Sequence, residues 1–301
     1  MDRLEAMTIL LMVVDKGSFS AASRDLGVPL ATVSRKVNEL ENHLGTRLLV
    51  RTTRKVALTD AGAIYVASAR RILDEIGETE RVAAGEFQAP QGELILTAPV
   101  LFGRLHILPV VTDFLDAYPE INVRLILSDR NLHLIDDHVD MAVRIGALSD
   151  SSMVATRIGL MRTVVCVSPK LLAGHGTPEK PEDLAALPCV NFDFLSLTST
   201  WPFRRKGPKG TIDVSIRPRL SVSTAEAAAW AAVQGVGATR VLHYQCADAV
   251  RGGALRIILA DFEVEALPVH LIHVGRGALP TKTRVFLDFV TPSLKEKLKS
   301  L

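Results

Sequence analysis

The segment from Gly17 to Arg54 constrains the fold of this chain more than any other part of it. Ser18 can cap a short helix, and Gly27 suits the tight turn that ends such a helix. Pro29 suits the first turn of a second helix, which the pattern predicts at a steep angle to the first. Beyond that helix, the runs LLV and KVAL flank a basic turn and predict two short strands. The segment therefore predicts a helix-turn-helix followed by a two-stranded wing.

The second helix has two faces of different chemistry. Val33, Val37, Leu40 and Leu44 recur with helical spacing, which predicts that this stripe faces the core. The opposite face carries Leu30, Ala31, Ser34, Arg35 and Asn38. Arginine can bond guanine edges, serine can bond bases or phosphate, and small apolar groups can meet thymine methyls. This face is predicted to read bases in the major groove.

Positive charge is concentrated in the same part of the chain. Residues 1–58 hold 9 Lys and Arg against 6 Asp and Glu, whereas the remainder holds 26 against 27. Such an excess favours binding to the phosphates of DNA. The predicted DNA-binding residues are Ser18, Pro29, Leu30, Thr32, Ser34, Arg35, Lys36, Arg51 and Arg54.

These assignments leave alternatives open. Arg51 and Arg54 are predicted to contact phosphate or the minor groove, since no acid accompanies them in the wing. Ser34 could instead bond its own helix backbone, and Arg35 or Lys36 could simply be solvated. A small helical domain of this kind could also merely pack or bind another protein.

Three stretches resemble the amino-terminal pattern of the LysR-type transcriptional regulators: GSFSAASRDLGV, ATVSRKVNELENHLGTRLL and RTTRKVALTDAG. The chain departs from that pattern at Pro29-Leu30, where the family often has Ser-Gln, and at Leu49, where Phe is usual. The first departure removes a commonly used base contact and leaves the operator sequence open. The resemblance implies binding to double-stranded promoter DNA with inverted repeats, as a homodimer or homotetramer. RNA polymerase is a further candidate partner, and activation and repression both stay open.

A long helix is predicted from Thr59 to Gly85. Thr59 can cap it, and Asp60 suits the positive end of its dipole. Its apolar positions are Ile64, Ile72, Leu73, Ile76 and Val82. Such a helix cannot bury its stripe alone, so we expect it to pair with the same helix of a second subunit, as the family's linker helix does. The alternative is packing against its own carboxy-terminal domain.

Beyond Pro90, apolar runs alternate with helical segments, which predicts an α/β fold with a parallel sheet covered on both faces. Helices are expected at about 102–117, 224–234 and 281–290. The family resemblance extends over this part and implies a two-lobed effector domain similar to periplasmic solute-binding proteins. The resulting domains are the winged helix-turn-helix (1–58), the linker and dimerisation helix (59–89) and the effector-binding domain (90–301). Within the last, lobe 1 is expected at about 92–161 and 268–301, and lobe 2 at about 162–267.

An effector site is predicted between the lobes, where strand ends meet helix amino termini, because free N–H groups there favour an organic or aromatic carboxylate. The candidate residues are Ala98, Pro99, Val100, Phe102, Ser128, Arg144, Gly146, Trp201, Ser223 and Thr224. Trp201 could close over the site. Many relatives place a hydroxyl in the first turn, whereas Ala98-Pro99 supplies none.

Two assignments in this pocket have competing interpretations. Arg144 could bind the acid of the ligand or pair with Asp137 or Asp140. Ser223 and Thr224 could contact ligand or only cap their helix. The identity of the effector stays open.

The sequence offers little for an enzyme, and no catalytic residue is assigned. His270 and His273 have HxxH spacing, but a strand sends them to opposite faces, so no metal site is predicted. No GxSxG, Walker loop or HExxH is found, and the glycines at 235 and 237 lack the rest of a dinucleotide fingerprint. No cofactor is expected besides a small-molecule co-inducer.

The cysteines and the hydropathy indicate an intracellular protein. Cys166, Cys189 and Cys246 have neither a disulfide framework nor CxxC spacing. Redox sensing by Cys189 or Cys246 is conceivable, as in some relatives of the family, but buried packing is favoured since no cationic cluster accompanies them. No apolar run is long enough to span a membrane, and the amino terminus is an amphipathic helix rather than a signal peptide. We therefore expect no membrane partner and a location in the reducing cytoplasm.

Overall fold

The computed structural model describes residues 1–51, 56–83, 89–148, 153–192, 199–205, 210–275 and 279–299. The chain divides into two compact units, Met1–Gly92 and Glu93–Leu301. None of the helices in these ranges combines the length and apolar character that a lipid bilayer requires.

The described part of the first unit is a winged helix-turn-helix followed by a long helix. Its elements are α1 (Arg3–Lys16), α2 (Phe19–Leu26), α3 (Leu30–Leu44), β1 (Leu49–Arg51), β2 (Val56–Leu58) and α4 (Asp60–Ala83). The strands pair antiparallel, with Leu49 opposite Leu58. The core joins all of these helices to β1 through Ile9, Leu10, Ala22, Val33, Val37, Leu40, Leu49 and Val66. A helix of 24 residues thus follows the wing, and Thr59 caps it by accepting from the Gly62 N–H at 2.9 Å.

A close approach between α4 and the wing explains the glycine in the motif TDAG. A Cβ atom on Gly62 would lie 1.9 Å from the carbonyl oxygen of Leu48. That oxygen accepts a hydrogen bond from the Thr59 N–H at 3.0 Å. Because the oxygen is held in place, only glycine fits where α4 passes β1.

The second unit contains two lobes, each built on a five-stranded sheet. Lobe 1 has the strand order β4-β3-β5-β14-β6, and lobe 2 has β11-β8-β12-β7-β13. The strands of lobe 1 are β3 (Gly92–Ala98), β4 (Ile121–Leu127), β5 (Met141–Ile145), β6 (Met153–Met161) and β14 (Leu267–Val274). Those of lobe 2 are β7 (Thr163–Val167), β8 (Pro188–Asn191), β11 (Arg217–Ser221), β12 (Ala238–Leu242) and β13 (Arg256–Ile258). The chain passes from one sheet to the other at Arg162 and returns after β13.

Helices and a hairpin cover the two sheets. The helices are α5 (Val100–Phe102), which continues through a π-helical stretch (Gly103–Ile107) into α6 (Leu108–Ala117), then α7 (Pro169–His175), α8 (Ala225–Val233), α9 (His243–Arg251) and α10 (Thr281–Lys299). The hairpin consists of β9 (Thr200–Arg204) and β10 (Thr211–Ser215). Helices α8 and α9 pack on one face of the lobe 2 sheet, and α7 and the hairpin on the other.

Two expectations for this unit are wrong. The sheets are mixed rather than parallel, because β14 runs antiparallel to β5 and β6, and β12 antiparallel to β7. These antiparallel pairs arise next to the crossovers, where the chain returns to a sheet from the other lobe. The last helix also continues past Val290 to Lys299 through Pro292, since Leu294 and Leu298 are buried in the core of lobe 1.

Candidate nucleic-acid interface and effector cleft

Local hydrogen bonds fix the turn between α2 and α3. Gly27 has a φ of +66°, a left-handed conformation that glycine adopts without strain. The Ser23 hydroxyl donates to the Val28 carbonyl at 2.6 Å. The Val28 N–H donates to the Ser23 carbonyl at 3.2 Å. Pro29 then opens α3 with a φ of −58°. The direction of α3 is therefore set by residues of the turn itself.

The apolar stripe of α3 is one turn shorter than predicted. Val33, Val37 and Leu40 are fully buried, whereas Leu44 is 38% exposed. Gly45 ends the helix directly after Leu44, with a φ of +67°. The assignment of Leu44 to the core is therefore wrong, because the helix stops where the domain core stops.

The opposite face of α3 is open to solvent. Pro29, Leu30, Ala31, Arg35 and Asn38 are exposed there. The Arg35 guanidinium lies 2.7 Å from the Glu39 carboxylate, and its side chain is 60% exposed. An exposed pair at this spacing contributes about 0.3–0.5 kcal/mol. Arg35 can therefore exchange Glu39 for another acceptor at little cost.

The other candidates in the helix-turn-helix are less open. Thr32 and Ser34 are half-buried. The Ser18 hydroxyl accepts from the Ala21 N–H at 3.4 Å and so caps α2. Lys36 forms an ion pair with Glu5 of α1, and its side chain is only 14% exposed. Since successive helical residues are about 100° apart, Lys36 lies off the exposed face that carries Arg35.

Glu41 of α3 anchors the first strand of the wing. Its Oε1 atom accepts from the backbone N–H groups of Leu48 at 2.8 Å and Leu49 at 3.0 Å. The sequence pattern missed this role, because an acid near the end of a helix is ordinarily solvated. Arg51 lies in β1 opposite Val56, and its side chain, like all of Arg54, is outside the described residues.

Between α3 and β1 lies an open polar groove of about 610 Å³. It is lined by Asn38, Glu41, Asn42, Gly45, Thr46, Arg47 and Leu49. The groove thus continues the exposed face of α3 towards the wing.

In lobe 1, the amino terminus of α5 is met by a carboxylate of the chain itself. The Val100 N–H donates to Asp129 Oδ1 at 3.0 Å. The Ser128 N–H donates to the Ala98 carbonyl at 2.9 Å. The Ser128 hydroxyl is occupied by the backbone of Arg130, at 3.1 Å to both its N–H and its carbonyl. Ala98 and Phe102 are buried, Pro99 is half-buried and Val100 is 39% exposed.

Arg144 stands at the end of β5 without either of the acids considered for it. Its guanidinium donates to the Leu132 carbonyl at 2.7 Å. Asp137 and Asp140 instead accept backbone N–H groups, each at 2.7 Å. Burial lowers the pKa of Arg144. Within the described ranges its charge is therefore balanced only by a carbonyl dipole.

The candidates in or beside lobe 2 fall into different environments. Thr224 Oγ1 caps α8 by accepting from the Ala227 N–H at 3.2 Å, and Ser223 and Thr224 are both exposed. Trp201 is only 4% exposed and packs in the lobe 2 core, so its side chain does not lie over the cleft as a cover. Gly146, with a φ of +118°, donates its N–H to the Pro268 carbonyl at 2.9 Å beside the second crossover.

Among the described residues, Tyr244 and Arg104 make contacts between the lobes that sequence reasoning missed. Tyr244, at the start of α9, inserts its ring into the lobe 1 core. It meets Phe102 edge-on at 5.4 Å and His106 at 5.8 Å between ring centroids. Burial raises the pKa of Tyr244 to about 12. At the surface, Arg104 of lobe 1 pairs with Glu226 of α8 at 3.3 Å.

The cysteines and histidines form no site of their own in the described ranges. All three cysteines are buried. Burial raises the pKa of Cys189 to about 11. Cys246 Sγ donates to the His243 carbonyl at 3.4 Å. The neighbouring Cys246 thiol, together with burial, raises the pKa of Cys166. No cluster of three or more His, Cys, Asp or Glu side chains suited to a metal ion occurs among these residues.

Two family models match the chain. Residues 4–63 match the bacterial regulatory helix-turn-helix protein of the lysR family. Residues 87–295 match the LysR substrate binding domain. Together the two matches cover both units of the structure.

Curated relatives and solved structures agree with these matches. The chain is 35% identical over 293 residues to the HTH-type transcriptional repressor PA14_22550 of Pseudomonas aeruginosa, covering 96% of this chain and 92% of the relative. It is 30% identical over 294 residues to the HTH-type transcriptional activator AaeR of Escherichia coli, covering 97% and 94%. The structure of CrgA, a LysR-type transcriptional regulator from Neisseria meningitidis, has a TM-score of 0.61 at 32% identity, covering 96% and 98%. The Vibrio cholerae virulence activator AphB has a TM-score of 0.60 at 25% identity, covering 95% and 98%.

Proposed function

Because the chain belongs to the LysR family of transcriptional regulators, we propose that it reads inverted-repeat promoter DNA through α3 and responds to a small carboxylate between its lobes. The observation that carries the first part is the exposed face of α3, where Arg35 and Asn38 stand on a helix fixed by its own turn. That face combines donors for base edges with an apolar group, Leu30, for a thymine methyl. RNA polymerase is a further candidate partner.

Each contact on DNA has a distinct role in this proposal. Pro29, Leu30, Ser34 and Arg35 face the bases, with Thr32 beside them. Ser18, at the amino terminus of α2, contacts a phosphate at the positive end of that helix dipole. Arg51 and Arg54 of the wing contact phosphate or the minor groove. Lys36 is left out, since it is held against Glu5.

Replacing Arg35 with Ala tests base reading, and Lys36→Ala is the matched control because it removes the same charge one residue away. Fluorescence anisotropy with operator and scrambled DNA should show an operator-specific loss of about 1–3 kcal/mol for Arg35→Ala. Lys36→Ala should keep the discrimination between the two DNAs. If Arg35→Ala also keeps it, Arg35 does not read bases. Arg51→Ala should weaken binding to both DNAs and reduce the salt dependence of that binding.

Dimerisation through α4 is supported by apolar residues on its outer face. Val66 and Ala69 pack inwards on the helix-turn-helix, whereas Ile64 is 67% exposed and Ile72 is 37% exposed. A long helix with an uncovered apolar stripe is stabilised by a second copy. Two copies of α3 related by a two-fold axis then match an inverted repeat, and a pair of such dimers forms the homotetramer.

Light scattering after size exclusion tests the role of α4. Ile64→Glu should shift the protein towards monomer, because a carboxylate would be buried in the interface. Ala63→Glu, on another face of the same helix, should leave the mass unchanged. An unchanged mass for Ile64→Glu would reject α4 as the dimer contact.

The effector part of the proposal rests on linkage. Tyr244 and the Arg104–Glu226 pair connect the two lobes. A ligand that prefers one arrangement of the lobes therefore changes the free energy of an equilibrium to which these contacts also contribute. It can shift DNA binding by no more than its difference in affinity for the two arrangements. Footprinting of upstream DNA with and without metabolite extract tests this: protection that never changes would argue against an effector.

A further inference from the structure

An arginine on the central strand of lobe 2 lies between the cores of the two lobes. Arg240 belongs to β12, the middle strand of its sheet. Alternate residues of a strand share a face. On the face of Arg240, Ala238 belongs to the lobe 2 core and Leu242 packs against the lobe 1 core. Arg240 therefore lies on this strand between a residue of the lobe 2 core and a residue that packs against lobe 1.

The neighbouring strands give Arg240 one polar and one apolar neighbour. Across the antiparallel pair it lies opposite Val165 of β7. On the other side, the parallel register pairs Thr239 with Val190, which places Asn191 of β8 next to Arg240. Asn191 Oδ1 lies 3.5 Å from the indole nitrogen of the buried Trp201. The surroundings thus combine an amide with apolar walls, a lining that is typical of small-molecule sites.

No group of the described chain compensates the charge of Arg240. The side chain is half-buried, and its guanidinium has no hydrogen bond and no ion pair within the described ranges. By contrast, Arg162 in the same unit holds the Glu263 carboxylate with two hydrogen bonds of 2.9 and 2.8 Å. A guanidinium stays charged in proteins, so burial without a partner destabilises it. Burial lowers the pKa of Arg240 accordingly.

Arg240 is also reachable from the solvent. Its nitrogens are not among the fully buried polar atoms that lack a partner in the described residues. An anion can therefore approach the guanidinium, whose planar fork matches a carboxylate with two parallel hydrogen bonds.

The amino terminus of α5, across the cleft, is less suited to an anion. Its Val100 N–H already donates to Asp129. Ala98 and Pro99 supply no hydroxyl, and Pro99 has no N–H. A second carboxylate at this helix end would meet the charge of Asp129. In lobe 1, Arg144 already donates to the Leu132 carbonyl, whereas Arg240 of lobe 2 has no hydrogen-bond partner among the described residues.

From these observations we propose that Arg240 binds the anionic group of the effector, with the Asn191 amide as the adjacent polar contact. The inference rests on the proposed carboxylate effector and names the residue that recognises it. It places the acid of the ligand against lobe 2, so that the remainder of the ligand extends towards Val100 and lobe 1. Ligand binding then supplies a counter-charge that none of the described residues provides.

The test uses the full-length protein and the sodium salts of acetate, succinate, benzoate and salicylate, with chloride at equal ionic strength. At least one carboxylate should raise the melting temperature of the wild type above the chloride control, and benzamide, the uncharged analogue of benzoate, should not. Calorimetric titration with the best carboxylate should show a roughly 10- to 100-fold higher Kd for Arg240→Met. Arg240→Lys, which keeps the charge but loses the fork, should lie between Arg240→Met and the wild type.

Arg256→Met is the matched control, because Arg256 is exposed on β13 of the same sheet. It should bind the carboxylate as the wild type does. Equal Kd values for wild type, Arg240→Met and Arg240→Lys would overturn the role of Arg240 and leave a carboxylate effector in place. If no carboxylate stabilises the wild type, the carboxylate effector fails and the role of Arg240 fails with it.

Discussion

Replacing Gly62 with Ala sets two physical effects of opposite sign against each other. In a helix interior, Gly→Ala ordinarily stabilises by about 0.5–1 kcal/mol. Here the new methyl would lie 1.9 Å from the Leu48 carbonyl oxygen and 2.8 Å from its carbon. The backbone must shift, which costs about 1–3 kcal/mol for overpacking. Straining the hydrogen bond from the Thr59 N–H to the same oxygen adds a further cost of about 0.5–1.5 kcal/mol. These contributions sum to a loss of about 0.5–4 kcal/mol, centred on about 2 kcal/mol.

The chain provides its own reporter for locating this loss. Both tryptophans, Trp201 and Trp230, lie in the second unit, so their fluorescence reports that unit, whereas circular dichroism reports the helices of both. Gly62→Ala should lower the dichroism midpoint by roughly 4 °C or more and leave the tryptophan midpoint nearly unchanged. The control Ala63→Gly, at an exposed position, measures the propensity effect alone. A melting temperature that rises in Gly62→Ala would refute the close approach of α4 to β1.

Two further predictions concern the wing and the lobe contact. Glu41→Leu removes the acceptor of two backbone N–H groups and should destabilise the first unit by roughly 2 kcal/mol. It should also weaken binding to operator DNA and to scrambled DNA alike. Intact affinity for both DNAs would show that the wing does not depend on Glu41. Burial, and to a lesser degree Lys297, lowers the pKa of His106 below 6.5, so the unfolded chain binds more protons than the folded one at acidic pH. Stability should therefore be full above pH 6.5 and fall as the pH drops through it, and His106→Gln should reduce that fall; equal pH profiles of melting temperature would contradict the assignment.

The local parts of the fold could be predicted from the sequence because their signals are local. Gly27 and Pro29 determine the turn of the helix-turn-helix within a few residues of themselves, and Thr59 caps the helix that it precedes. The positive charge of Lys36 is equally visible in the sequence, but the direction in which its side chain points is not. An ion pair to Glu5, on another helix, turns the side chain away from the exposed face. Sequence spacing alone does not contain that contact.

The lobes were less predictable, because their elements depend on distant partners. The position of β14 between β5 and β6 makes the sheet mixed, and no local pattern distinguishes this from a parallel order. Trp201 looked like a cover for the cleft, yet its hairpin packs it into the lobe 2 core. Arg240 did carry a signal: it interrupts an otherwise uncharged strand, ATRVL. That Arg240 has no partner among the described residues is a property of the folded chain and cannot be read from the sequence.

Sequence-specific reading of DNA by α3 can be measured as binding to DNA upstream of the protein's own gene, compared with scrambled DNA, across a potassium chloride series. We expect tighter binding to the upstream DNA, and a logarithm of affinity that falls linearly with the logarithm of the salt concentration as counterions are released. We also expect Arg35→Ala to lose the preference for the upstream DNA and to keep most of the salt dependence. Equal affinity for both DNAs, with no dependence on salt, would rule out DNA reading by this helix.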